Sequence, residues 1–284
     1  MPPWRMTRKN GETVDDMIRK ELVMEALAEL APEIEAAYFA EKASLPTRTR
    51  PSTPRLGAVL DGYLPLPREA LFLGVAADRL PVLLNLSDPV PGPILIGGDG
   101  GSGKTHFLRV IAHGVDQTHD PRSVQYGVVT ARPDEWQDLA GSPNCVDVFP
   151  SYRNDADGFV ASLTDWAHAN RRDRQAVLLL IDDLTVFADM DFETRQNLRW
   201  LLLRGPSRRV WPIATLDPRK LEAVLPWLDL FHTRLFGAAA HSPEMARICG
   251  GGLDQLDALT PGSDFMMREG GSWLKFWLPS IEEE

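Results

Sequence analysis

Pro93-Ile-Leu-Ile-Gly-Gly-Asp-Gly-Gly-Ser-Gly-Lys-Thr-His-Phe-Leu-Arg-Val-Ile-Ala-His113 decides how this chain folds. An apolar run ending at Gly97 gives way to Gly98-Asp-Gly-Gly-Ser-Gly-Lys-Thr105, and a helical apolar pattern begins directly behind it. The eight central residues match GxxxxGK[ST] in full, in the required order of strand, glycine loop and helix. Glycines let backbone N–H groups curl round a phosphate, and the N-terminus of the following helix adds positive potential at the same point. Gly98, Asp99, Gly100, Gly101, Ser102, Gly103, Lys104, Thr105 and His106 are therefore the candidate nucleotide-binding residues. Lys104 is placed to reach the β- and γ-phosphates of ATP, and the Thr105 hydroxyl to ligate Mg2+.

A magnesium site needs a carboxylate as well. Some way along the chain, Val177-Leu-Leu-Leu-Ile-Asp-Asp183 is an apolar run ending in two acids. Asp182 is the expected member of the Mg2+ shell, and Asp183 is expected to orient an attacking water or, alternatively, to cap the next helix. In Trp211-Pro-Ile-Ala-Thr-Leu-Asp217, Thr215 ends a neighbouring strand and is a candidate γ-phosphate sensor.

Outward from these motifs, short apolar runs alternate with helical stretches from residue 58 onward, the pattern of a parallel α/β sheet. Strands are expected at Pro81–Leu86, Pro93–Gly97, Val124–Val129, Val146–Phe149, Val177–Asp182 and Val210–Thr215. Helices are expected at Lys104–Gly114, Ala156–Asn170, Phe192–Arg204, Pro218–Val224 and Pro243–Cys249. Asp264–Arg268 and Trp273–Leu278 flank Glu-Gly-Gly-Ser, which reads as a hairpin turn. Ahead of this domain (58–284), residues 12–42 carry an apolar stripe at three- and four-residue spacing, so 1–43 reads as a helical arm. Residues 44–57, rich in Pro and Thr, read as a linker.

Thirty basic against forty acidic residues leave a formal charge of −10. Residues 1–56 carry nine of each, so the whole excess falls on the remainder. Bulk charge thus argues against a protein that coats nucleic acid or anionic membrane. Two cysteines are too few for a disulfide framework, and the six histidines form no metal-ligand spacing. The longest apolar run, Ala176–Ile181, falls far short of the ~20 residues that a membrane span needs. A soluble, cytoplasmic protein is expected.

With these residues in place, 72–279 resemble the FtsK/SpoIIIE/HerA class of P-loop motors, which includes the EssC-like ATPase modules of type VII secretion. Four features carry the resemblance: Gly74-Val-Ala-Ala-Asp-Arg-Leu-Pro-Val-Leu-Leu-Asn-Leu86 leading into the P-loop strand, the Ile-Asp-Asp-Leu pair, Ala214-Thr215, and the closing Leu259-Thr-Pro-Gly-Ser-Asp-Phe-Met-Met-Arg-Glu-Gly-Gly-Ser-Trp-Leu-Lys-Phe-Trp-Leu-Pro279. The resemblance implies a RecA/FtsK-like P-loop NTPase with a central, mostly parallel sheet and a closing C-terminal hairpin. It also implies a homo-oligomeric ring, of the hexameric kind, handling DNA or protein in its pore. Two departures point to slow or conditional hydrolysis: Asp183 stands where FtsK motors have Glu, and Leu216 where they have Gln. Gly-Lys-Thr-His with Leu-Ile-Asp-Asp-Leu is also similar to DnaA-type AAA+ ATPases, but those carry a helical lid rather than a terminal β-hairpin.

In ring ATPases a neighbour's arginine completes the site. Arg204 and Arg208, in Arg204-Gly-Pro-Ser-Arg-Arg209, and Arg234 are the candidates, each equally readable as a structural cation. Pro150-Ser-Tyr-Arg-Asn154 is the candidate pore loop. The competing expectation is a nucleotide-bound assembly module that docks a protein partner through its N-terminal helix.

Overall fold

The computed structural model describes residues 53–170, 175–251, 253–269 and 272–281. The expected helix at 12–42 and most of the linker lie outside the described residues. The linker's last residues depart from expectation: Leu56–Asp61 forms a short helix, α1, with Leu56 and Leu60 buried. Arg55 forms a bridge to Ser280, which ties this entry segment to the C-terminal strand region.

Ten strands make one sheet: β1 (Ala70–Ala76), β2 (Pro81–Asn85), β3 (Ile94–Gly97), β4 (Val124–Thr130), β5 (Cys145–Pro150), β6 (Ala176–Asp182), β7 (Val210–Leu216), β8 (Thr233–Phe236), β9 (Asp264–Glu269) and β10 (Ser272–Trp277). Their order is β2-β1-β10-β9-β8-β3-β7-β6-β4-β5. From β8 to β5 all neighbours run parallel, and from β9 to β2 they are antiparallel. The helices are α2 (Lys104–Thr118), α3 (Asn154–Ala169), α4 (Phe192–Arg204), the four-residue α5 (Leu225–Leu228) and α6 (Pro243–Cys249).

The central parallel strands β3, β6 and β7 are buried on both faces, so their apolar runs are continuous rather than alternating. All seven residues of β6 are buried, and all seven of β7. Leu178 and Leu180 pack with α2 (Phe107, Leu108, Ile111) on one face. Leu179 and Ile181 pack with α3 and α4 (Val160, Leu198, Leu201) on the other. Each such side chain contributes about 1.5–3 kcal/mol when fully buried. Trp136, in a 3-10 helix at Pro133–Leu139, is wholly enclosed in the first layer.

Two strands and one helix differ from the sequence reading. The first hairpin begins at Ala70 rather than Gly74, and β8, which is not among the expected strands, pairs with β3 along its whole length. Pro218–Val224 is a 3-10 helix, not an α-helix. Pro218 occupies its first turn and the Asp217 carboxylate accepts the Arg219 N–H, a tight cap that favours i→i+3 bonding. Of the expected Glu-Gly-Gly-Ser turn, Gly270 and Gly271 lie outside the described residues.

Register brings the functional ends together. Gly97 pairs with Leu216 on one side and Phe236 on the other. Ile181 pairs with Ala214, and Thr130 pairs with Asp182. The carboxyl ends of β3, β4, β6, β7 and β8 therefore share one rim, where open α/β sheets bind their ligands.

Candidate nucleotide-binding site

The glycine loop leaves β3 at Gly97 and is pinned at its start by two backbone bonds. The Gly98 N–H donates to Leu216 O and the Asp99 N–H to Ala238 O. Two residues then turn through the left-handed region, Gly101 at φ 78° and Gly103 at φ 92°. At Gly103 the requirement is doubled, because a Cβ there would lie 2.6 Å from Gly262 Cα. Gly262 belongs to the Thr-Pro-Gly turn before β9, and its N–H donates to Ser102 O. The closing hairpin thus clamps the phosphate loop from above, a contact that sequence spacing alone does not reveal.

Lys104 opens α2, and its ammonium donates to Gly98 O and Asp99 O, both at 2.7 Å. Burial disfavours the ammonium and lowers its pKa, while Asp217, Asp99, Asp183 and Asp182 offset part of that. The Asp99 carboxylate accepts the Ala240 N–H. Ser102 Oγ is buried and has no protein hydrogen-bond partner. His106 lies within 3.2 Å of Pro279 O, so its ring engages the C-terminal segment.

Thr105 and Asp182, the two residues expected to hold Mg2+, lie against one another. Thr105 Oγ1 donates to Asp182 Oδ1 at 2.8 Å, across seventy-seven positions of sequence. Asp182 is buried at the end of β6, and Thr130 Oγ1 donates to its second oxygen at 3.2 Å. Thr215 Oγ1 accepts the Asp183 N–H at 2.7 Å and lies 3.5 Å from Asp182. It fixes the backbone between the two acids.

Asp183 is engaged elsewhere. It sits at φ 81°, ψ 98° and caps the 3-10 helix Leu184–Ala188, accepting from the Thr185 N–H and hydroxyl. Its other oxygen pairs with Lys220 Nζ at 2.6 Å. Burial raises the Asp183 pKa, but hydrogen bonds from Lys220 and Thr185 outweigh it and hold the carboxyl below its ordinary value.

Three residues missing from the sequence reading border the loop. Arg132, just past β4, reaches Thr105 Oγ1 at 3.2 Å and Asp182 Oδ2 at 3.4 Å. Lys220 holds Asp183, and Arg219 pairs with Asp217 at 2.5 Å beside Gly100. Their sequence signal was position alone: each follows the end of a rim strand by a few residues.

The candidate fingers lie apart from this rim. Arg208 and Asn170 exchange backbone-directed bonds, Arg208 Nη1 to Asn170 O and Asn170 Nδ2 to Arg208 O, just before β7 begins. Arg204 ends α4 on the same side, so both flank the amino end of β7, opposite the loop. Arg234 donates to Phe231 O, Ile248 O and Leu228 O within its own chain. The Pro150–Asn154 loop follows edge strand β5, with Tyr152 exposed and the Arg153 guanidinium 6.0 Å from its ring.

The loop's geometry suits a phosphate chain: left-handed glycines, a helix N-terminus, a lysine and an unpartnered buried hydroxyl converge. One hydroxyl and one carboxylate are the sparse protein donor set that Mg2+ takes when phosphate and water supply the rest. Among the described residues no cluster of three His, Cys, Asp or Glu forms an all-protein metal cage.

The chain's fold is shared by solved structures. The Thermomonospora curvata EccC ATPases 2 and 3, in complex with a signal sequence peptide, align at TM-score 0.61 and 15% identity, over 82% of this chain and 44% of theirs. EssC ATPases 2 and 3 from Geobacillus thermodenitrificans align at TM-score 0.62 and 13% identity, over 82% and 48%. The pCW3 conjugation coupling protein TcpA, a monomer form with ATPgS, aligns at 0.59 and 16%, over 81% and 70%.

The fold is that of the FtsK/SpoIIIE-type P-loop ATPases.

The chain spans less than half the length of the EccC and EssC chains. No protein-family model and no curated protein matches the sequence. Beyond β8 the sheet continues through the β9–β10 hairpin to β1 and β2. Among the described residues no helix is long and apolar enough to cross a membrane.

Proposed function

We propose that this chain is an ATP- and Mg2+-binding, ring-forming NTPase of the FtsK/HerA type whose slow or conditional hydrolysis drives translocation of DNA or protein. The observation that carries the reading is the Thr105–Asp182 contact at the root of the glycine loop. It joins the loop, the helix dipole and the acid of β6 at one point. On this reading, backbone N–H groups of the loop and Lys104 hold the phosphates, while Thr105 and Asp182 hold Mg2+. The metal, when bound, withdraws charge from the β- and γ-phosphate oxygens. Thr215 keeps Asp182 and Asp183 in register by accepting the Asp183 N–H.

Slow turnover is supported by two features of the rim. Leu216 is fully buried and offers no polar group to a γ-phosphate or a water. Asp183, the residue in the water-orienting position, already spends both oxygens on Thr185 and Lys220. These same features favour a second reading, a nucleotide-bound assembly module that docks a protein partner and does no mechanical work.

Phosphate release from ATP–Mg2+, with and without long double-stranded DNA, separates the two. The motor reading expects a DNA- or protein-stimulated rate that Lys104→Ala abolishes. Tight ATP binding with no phosphate release, even in an assembled ring, would overturn it in favour of the assembly module.

A further inference from the structure

We propose that Arg132 is the resident cation of the metal position, the counter-ion of Asp182 that Mg2+ must displace, and so sets the metal dependence of nucleotide binding. This rests on the nucleotide reading above and deepens it.

Asp182 is a buried carboxylate at the end of β6, and a buried charge needs a partner. Lys104 is not that partner, because its ammonium is turned to Gly98 O and Asp99 O. Among the described residues the one cation within ion-pair distance of Asp182 is Arg132, through Nη2 at 3.4 Å. The same nitrogen donates to Thr105 Oγ1 at 3.2 Å. Thr105 spends its own proton on Asp182 Oδ1, so its lone pairs face the guanidinium. Arg132 therefore contacts the hydroxyl and the carboxylate that constitute the chain's Mg2+ donor set.

The arm is held at its base and at its tip. The Arg132 N–H donates to Thr130 Oγ1 at 3.0 Å, and that hydroxyl donates to Asp182, so the root of the side chain is fixed to the rim. At the tip, Nη1 is paired with Glu135 Oε1 at 2.6 Å, one turn along the 3-10 helix. Arg132 and Glu135 are both substantially exposed, whereas Asp182 is not. A guanidinium and Mg2+ on the same two oxygens repel strongly. When the metal arrives, the side chain keeps its Glu135 contact and swings outward from the other two.

The test titrates a fluorescent ATP analogue onto the full chain, in EDTA and across a range of Mg2+. In Arg132→Gln the half-saturating Mg2+ concentration should fall roughly tenfold, the coupling of two ligands that exclude one another. Affinity in EDTA should fall, because Asp182 then faces the triphosphate without a counter-ion. Glu135→Gln removes the outward perch and leaves the guanidinium in place, so its half-saturating Mg2+ should rise. That second variant keeps the question open to test even where Arg132→Gln fails to fold. Unchanged or raised Mg2+ requirement in Arg132→Gln, or an unchanged or lowered one in Glu135→Gln, overturns the proposal. A wild-type chain that binds no nucleotide in either condition instead overturns the nucleotide reading, and this inference with it.

Discussion

Lys220 Nζ lies 2.6 Å from Asp183 Oδ2, so the acid proposed to orient a water is already paired within its own chain. An uncommitted general base contributes about 10²–10⁴-fold, so its loss is unmistakable. Here Asp183→Asn should lower phosphate release by less than about tenfold, because the carboxylate is not presented to a water. Lys220→Ala should act in the opposite direction and raise the basal rate, by roughly threefold or more, as Asp183 Oδ2 becomes available. Steady-state phosphate release on both variants checks this; a loss in Lys220→Ala comparable to that of Lys104→Ala would show that Lys220 serves the phosphates instead.

The same pairing makes stability depend on pH. The Asp183 pKa is lowered in the folded chain, against the upward push of burial, by Lys220 and Thr185. Its contribution is therefore complete above the unfolded carboxylate value of about 4 and is lost as pH falls through the lower folded value. Melting temperature followed from pH 6 downward should drop more steeply in the wild type than in Asp183→Asn. As a helix cap, Asp183→Ala should also cost about 0.5–2 kcal/mol at neutral pH.

Gly103 and Gly262 touch, and the two glycines are not equivalent. Both have positive φ, so alanine at either costs about 1–2 kcal/mol in backbone strain. At Gly103 the new methyl also meets Gly262 Cα at 2.6 Å, whereas at Gly262 nothing lies within 4 Å. Gly103→Ala should therefore lose more melting temperature than Gly262→Ala and abolish nucleotide binding. Equal losses would mean that the hairpin does not clamp the loop.

What the sequence disclosed about this site followed from local pattern. Gly98–Thr105 is a contiguous signal, and Val177–Asp182 is an apolar run too long and too acidic at its end to misplace. The contacts of Arg132, Lys220 and Gly262 depend instead on which strands are neighbours. β4 lies beside β6, which sets Thr130 against Asp182 and brings Arg132 to Thr105 and Asp182. No periodicity encodes that adjacency. β8 is hidden for a related reason: Thr233-Arg-Leu-Phe236 is too short to show a pattern, and its strand character comes from pairing with β3.

Arg234 separates a catalytic cation from a structural one. Its guanidinium donates to Leu228 O at the end of α5 and to Ile248 O near the end of α6, with a third contact at Phe231 O. It thereby joins two helix ends to β8, next to the P-loop strand, and satisfies carbonyls that the helices leave unpaired. Burial lowers its pKa, with Asp229 offsetting part of the shift. A hydrogen bond to a charged group is worth about 1.5–3 kcal/mol, so Arg234→Ala should destabilise by about 2–4 kcal/mol and lower the melting temperature by roughly 5–10 °C. Lysine, with one compact ammonium, cannot span three carbonyls and should recover little of the loss. A finger acting on a neighbouring subunit's nucleotide predicts the reverse: phosphate release lost with the melting temperature unchanged. Thermal denaturation of Arg234→Ala beside its phosphate-release rate therefore assigns the residue, and the three carbonyl contacts assign it to the fold.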